Sequence, residues 1–414
     1  MEDETTADLG HPSTLKELDL HIAQAAADIN NVLITFRRDL HQHPEIAHGE
    51  FRTTAKIFER LTSIGLSPVR LDGTGLVCDL GPSRDAEGKT VPRVGLRADL
   101  DALPIPDSCG EEWESETPGL AHACGHDVHA TVLLGAAYVL QRLDAQGLLT
   151  LPVRLIFQPA EEIMPGGAHN IIEAKALEGL DSVVALHCEP KLDVGQIATR
   201  IGPITSAADS LSVTVSSKGG HTSRPHLTGD VIYALGEIIT QVPGVLGRRL
   251  DPRWGVNLTW GLVRAGDSHN AIPSSGTVSG TLRCLDSQAW EKAANILDEA
   301  IEQVAAPYAV DVTFSHVRGV PPVDNDPDIT TRMEEAARAV VGRKNLIHAP
   351  QSLGGEDFGW YLTKVRGTLA RLGTRTPGGK SFDLHQGDLV IDERAIEIGV
   401  RLLAGVAIRS QAGQ

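Results

Sequence analysis

Short apolar runs at Leu76–Leu80, Val94–Ala98, Val153–Phe157 and Val183–Leu186 alternate with helix-like segments through the first half of the chain. That alternation constrains the fold more than any other feature, because strands separated by helices pack as a largely parallel sheet covered on its faces. The helices are read from apolar periodicity. Leu18, Ile22, Ala25, Ile29, Leu33 and Phe36 share one face of a helix from Leu15 to about Arg38. Ala55, Phe58 and Leu61 do the same within Thr53–Ile64. His129–Leu143 is apolar nearly all round, which predicts a buried helix.

A different order follows. Leu211–Val215 reads as a strand, Asp230–Val242 as a helix, and Val256–Val263 and Thr277–Leu285 as strands. Ser287–Ala305 is then a helix and Val310–Phe314 a strand. The sum is βαββαβ, the order of a ferredoxin-like layer. α/β signals resume with a helix near Pro327–Val341, a strand near Gly367–Leu372 and a last helix near Glu393–Ala407. The expected architecture is an α/β main domain with a mostly parallel sheet, residues 14–204 and 317–414, interrupted by a ferredoxin-like α+β sandwich at 205–316. Residues 1–13 are expected to be frayed.

The formal charge of −17 argues against nucleic acid and anionic membranes as partners, since like charges repel. No stretch approaches the roughly 18 to 20 unbroken apolar residues of a membrane helix. The acidic, polar start lacks the basic end and apolar core of a secretory signal, so cytoplasmic residence is expected. Five scattered cysteines do not form a disulfide framework.

Polar clusters sit where predicted strands end. Val94–Ala98 runs into Asp99, Asp101 and Pro104; Val153–Phe157 runs into Glu161 and Glu162; Val183–Leu186 runs into His187, Cys188 and Glu189. Ligands of open α/β sheets bind outside the carboxyl ends of the strands, so these clusters should converge. A fourth cluster, His122, Cys124, His126, Asp127 and His129, precedes the apolar helix. Asp127 as the helix cap would put Cys124 and His126 at an N-terminus, where the dipole favours a thiolate. Thiolate, imidazole and carboxylate donors suit zinc, with manganese, iron or cobalt as other occupants. Taken singly, Cys124 would be a packed small residue, His187 a half-buried hydrogen-bonding side chain and the Glu pair a solvated surface. Gathered at one sheet edge, they are costly to bury unless paired or metal-bound. Neighbours in extended backbone point to opposite sides, so one of Glu161 and Glu162 can hold metal while the other serves as general base.

Several longer motifs carry a resemblance. Arg38-Asp-Leu-His41-Gln-His43-Pro44-Glu45, Gly95 to Pro104, His122 to Asp127 and Gln158 to Glu162 form one series. Gly220-His221, Asn270 to Pro273, Gly355 to Phe358 and Leu384-His385 continue it. Together they resemble the N-acyl-amino-acid amidohydrolases, the branch of hippurate hydrolase and the indole-acetyl-amino-acid hydrolases within the two-metal aminoacylase and carboxypeptidase family. The resemblance implies two divalent ions per subunit, zinc or manganese, with cobalt or nickel as substitutes in vitro. Cys124, His126, Glu162, His187 and His385 match the family's metal ligands, and Glu161 its general base and acid. Asp101 matches a residue that orients a ligand or the catalytic glutamate. His221 matches an oxyanion-supporting histidine; Asn270, Arg283 and His226 are the candidates for binding substrate.

The implied activity is hydrolysis of an N-acyl amino acid, with the inserted layer as lid and homodimer interface. A dipeptidase or carboxypeptidase on the same site is the nearest alternative, and a non-catalytic or structural metal protein the next. Asp99 stands where the wider family has a histidine, which leaves its contact with metal open. Cys188 departs from an expected apolar residue, and Gln386-Gly387-Asp388 from Ser-Pro-aromatic. His41, His43 and His48 read as a structural turn closing the first helix rather than as ligands.

Overall fold

A computed structural model describes residues 14–83 and 93–411; the segment 1–13, expected to fray, lies outside the described residues. The first helix, Leu15–Gln42, starts at a capping box in which Thr14 and Glu17 exchange side-chain and backbone hydrogen bonds. It buries Ile22, Ala25, Leu33, Phe36 and Leu40 on one face.

The main sheet has eight strands. Its centre is parallel: Val153–Gln158, Arg93–Asp99, Leu180–Asp193 and Arg366–Arg375 lie side by side in that order. Antiparallel pairing enters beyond them, from Leu76–Leu80 on one side and Ile197–Thr199 on the other. The helices Leu15–Gln42, His126–Ala145, Pro327–Val341 and Arg394–Gln411 pack together over one face. Shorter helices, Ala168–Glu173 and Phe358–Leu362, cover the other. His126–Ala145 is buried nearly all round, as its composition predicts. Val132, Leu133, Leu140 and Leu143 are each at most 1% exposed, and such side chains contribute about 1.5–3 kcal/mol apiece. Gly135 lets three helices close in, since a Cβ there would lie 2.4 Å from Val400 and 2.6 Å from Leu33.

The inserted layer is a four-stranded antiparallel sheet ordered Asn257–Ala265, Ser275–Cys284, Ala207–Ser216 and Asp311–Val320. Val231–Arg249 and Ser287–Ala305 pack on one face through Leu235, Ile238, Leu297 and Ile301. The chain order is βαββαβ. The first of these helices runs past Val242, where the sequence pattern ended it before Pro243. Proline removes one intrahelical bond there, but burial of Val242 and Leu246 carries the helix on.

Candidate dinuclear metal centre

The central strands end together, and their polar ends meet. Asp99 ends one strand and Asp101 follows it, Glu161 and Glu162 follow the next, and His187 lies within a third. Cys124 and His126 come from the entry to His126–Ala145. His385 arrives from far along the chain, its backbone N–H donating to the Ala123 carbonyl at 2.8 Å. The candidates Cys124, Glu161, Glu162, His187 and His385 therefore line one cavity of about 370 Å³.

Donor atoms fall into two triplets that share a sulfur. Cys124, His126 and His187 form one, and Cys124, Glu162 and His385 the other, all ligand atoms in each lying within 4.8 Å of one another; His126 also falls in groups as tight with Glu161 and Glu162 and with Asp99 and His129. Cys124 Sγ is 3.5 Å from His187 Nε2, and Glu162 Oε2 is 3.4 Å from His385 Nε2. His126 Nε2 and Glu162 Oε1 are 3.7 Å apart, and both are buried without a hydrogen-bond partner. Unpaired buried polar atoms are costly, and a cation between them removes that cost. Soft sulfur with imidazole and carboxylate is the chemistry of a zinc-type ion, so the residues fit two divalent metals.

Asp101 organises the site without joining either triplet. Its two oxygens accept the backbone N–H groups of Glu161 at 3.0 Å and Glu162 at 2.9 Å. His126 Nδ1 lies 2.9 Å from the Asp101 carbonyl, which turns Nε2 toward the cavity. Asp99 lies 3.8 Å from His126 Nε2, and its oxygens are also engaged: Arg97 Nη1 is 2.6 Å from one and His129 Nδ1 2.6 Å from the other. His129 Nε2 in turn accepts the Cys188 N–H at 2.8 Å. Beneath them Arg97 also reaches Asp357 at 2.7 Å and Gln158 at 3.0 Å, a buried network that the sequence reading missed. An arginine and a glutamine within or ending apolar strands, Arg97 and Gln158, were the signal available for it.

Cys124 and His126 lie at the helix N-terminus as expected, but Asp127 is not the cap. Gly125, in the left-handed region at φ 85°, is the residue before the helix, and Asp127 lies in its first turn rather than capping it. The Asp127 side chain turns instead to Arg37 at 2.7 Å and His41 at 2.8 Å. Burial pushes the Cys124 thiol well up, with Glu162 and Glu161 adding to it against His126. Burial likewise raises the Glu161 carboxyl well above the usual range, assisted by Glu356, Asp357 and Glu162. Cys188 is buried, its Sγ 3.8 Å from the Gly125 carbonyl, so this departure serves packing.

The remaining candidates sit on the inserted layer, outside the cavity lining. His221 and Ala271 are register partners in a two-stranded ribbon, which brings exposed His221 beside exposed Asn270. His226 is exposed nearby in Pro225–Leu227. Arg283 donates from Nε to the Leu353 carbonyl at 3.2 Å.

An α/β sheet with an inserted antiparallel layer, and overlapping thiol, imidazole and carboxylate triplets at its strand ends, defines a dinuclear metal protein. Residues 95–409 match peptidase family M20/M25/M40, and the chain belongs to that family. It is a metal-dependent hydrolase of this kind. N-acetyl-L-cysteine deacetylase of Bacillus subtilis (strain 168) is 36% identical over 88% of this chain and 84% of its own length. The YXEP protein of Bacillus subtilis, a dinuclear metal binding peptidase of the M20 family, superposes with TM-score 0.79 at 31% identity, covering 92% of this chain and 98% of that one. A Rhodococcus jostii (strain RHA1) protein provisionally named glutamate–cysteine ligase 2-3 is 48% identical over 92% of this chain. The chain spans only 47% of the length of that relative. Among the described residues no helix is long and apolar enough to cross a membrane.

Proposed function

We propose that this chain hydrolyses the amide bond of N-acyl amino acids, as in the hippurate hydrolase and indole-acetyl-amino-acid hydrolase branch of its family. The observation that carries the reading is Glu161 beside Glu162, with both backbone amides fixed by the Asp101 carboxylate. The Bacillus deacetylase relative, named for an N-acetyl amino acid, supports the substrate class.

In this reading Cys124, His126 and His187 hold one divalent ion and Cys124, Glu162 and His385 the other, with zinc or manganese as occupants. Such ions polarise a carbonyl and make water acidic near neutral pH. Glu161 accepts the water's proton on its carboxylate as the oxygen attacks the amide, then returns it to the leaving nitrogen. Asp101 keeps Glu161 and the His126 imidazole oriented. The layer at 205–316 acts as lid and homodimer interface on a catalytic body of 14–204 and 317–414, in the cytoplasm. Closure of that lid, or the second subunit, brings His221 to the developing oxyanion and Asn270, His226 and Arg283 to the substrate.

Glu161→Gln is the test. Metal content should stay at the wild-type level while kcat falls by about 10²–10⁴-fold, the usual worth of a general base. Normal turnover in that variant refutes the assignment. Side-by-side assay of N-acetyl, N-benzoyl and free-amine dipeptide substrates separates amidohydrolase from dipeptidase.

A further inference from the structure

We infer that Arg371 is a specificity-determining residue that receives a second carboxylate of the substrate, making doubly anionic N-acyl amino acids the preferred class. The inference rests on the amide-hydrolysis reading above. Arg371 lies on Arg366–Arg375 and is the register partner of His187 on the parallel neighbour. Register partners on adjacent strands share a face of the sheet, and both side chains line the cavity.

The other permanently basic side chain of that cavity, Lys191, is already committed. Lys191 Nζ is 3.1 Å from Asp383 Oδ1, and Glu189 Oε1 accepts the Lys191 N–H at 3.2 Å. Half-buried Arg371 makes no ion pair or hydrogen bond with its side chain among the described residues. Its charge is permanent, and its planar fork matches a carboxylate in two parallel hydrogen bonds. With both cation sites filled, a guanidinium beside them would be repelled, and an anionic group brought by the substrate would offset that repulsion. Apolar walls are scarce: Met164 and Leu384 supply them, and among the described residues no Phe, Tyr or Trp lines the cavity. A large apolar side chain therefore has little to bury against, whereas a short carboxylate has a waiting partner.

The test compares wild type, Arg371→Met and Arg371→Lys, loaded with zinc or manganese, on N-acetyl-L-leucine, N-acetyl-L-glutamate and N-succinyl-L-leucine. Wild type should favour at least one of the two dicarboxylates, on the amino-acid side or the acyl side according to which. That preference should fall by about tenfold or more in Arg371→Met, chiefly through KM, the size of one charge-assisted pair. Arg371→Lys should recover part of it. An equal change on all three substrates overturns the inference by assigning Arg371 to the carboxylate they share, and no change overturns it outright. Calorimetric titration of Glu161→Gln, with and without Arg371→Met, separates the two readings. Arg371-dependent preference in binding without cleavage by wild type sinks the hydrolysis reading alone; binding without preference sinks the Arg371 inference alone.

Discussion

Two histidine clusters flank the start of the helix His126–Ala145, and they handle charge in opposite ways. In one, His41 lies 2.8 Å from Asp127 and 3.2 Å from Asp107, with Arg37 2.7 Å from Asp127. Burial and Arg37 oppose protonation of His41, but Asp127 and Asp107 outweigh them and raise it to about 10. Asp107 and Asp127 are both held well below the usual carboxylate range against the cost of their own burial, by hydrogen bonds to His41 and two backbone amides in the first and mainly by Arg37 and His41 in the second. Two cations thus face two anions. In the other cluster the Cys124 thiol and the carboxyls of Glu161 and Glu162 are all pushed upward, chiefly by burial. That cluster is short of positive charge. His41, Asp107 and Cys109 also bring ligand atoms within 4.8 Å of one another, so proximity alone does not mark a metal site. Charge balance does.

The largest effect that would sharpen this contrast is on activity. Chelation should abolish turnover, and added zinc or manganese should restore it in wild type but not in Cys124→Ala, which also loses bound metal by elemental analysis. Full activity of the stripped protein would erase the distinction. Next, Asp127→Asn should destabilise the fold by about 2–4 kcal/mol in urea titration, because Arg37 then keeps only Glu393 at 3.6 Å and His41 only Asp107 at 3.2 Å, one buried negative charge short. Its metal stoichiometry should not change. Smaller still is a pH effect. His41 has a folded-state pKa of about 10 against an ordinary 6.5, so its stabilisation is fully present below pH 6.5 and is lost as pH rises toward 10. That amounts to a few kcal/mol in order of magnitude, and His41→Gln should flatten the slope. Smallest is Cys109→Ala, expected to cost about 1 kcal/mol or less with metal content unchanged. Loss of an ion in that variant would make both clusters metal sites.

Much of the fold was legible because it is written locally. Ser287–Ala305 and Pro327–Val341 have the bounds that the sequence pattern predicts, and each begins just after an aspartate cap, Asp286 and Asp326. The strands that carry Asp99 and His187 and the one that precedes Glu161 were also visible, and the sheet rule placed their polar residues together. What escaped depends on contacts between distant segments. Arg371 gains its place beside His187 only through the register of two strands, which no local periodicity encodes. Asp127 looked like a cap because short acidic residues favour that position, yet pairing with Arg37 and His41 outcompetes capping. The gathering of His221, His226 and Asn270 on the inserted layer, away from the cavity lining, likewise belongs to tertiary structure.

The hydrogen bond from His385 to Ala123 has a consequence for how the molecule is made. Every other residue of the two Cys124 triplets precedes the inserted layer in the chain, whereas His385 follows it. During synthesis Cys124 and Glu162 must wait, one partner short, until the whole insert has left the ribosome. On the proposed ligand set, stable loading of both ions is a late event in the life of the polypeptide, after the two sheets have formed and the last strand has closed beside His187.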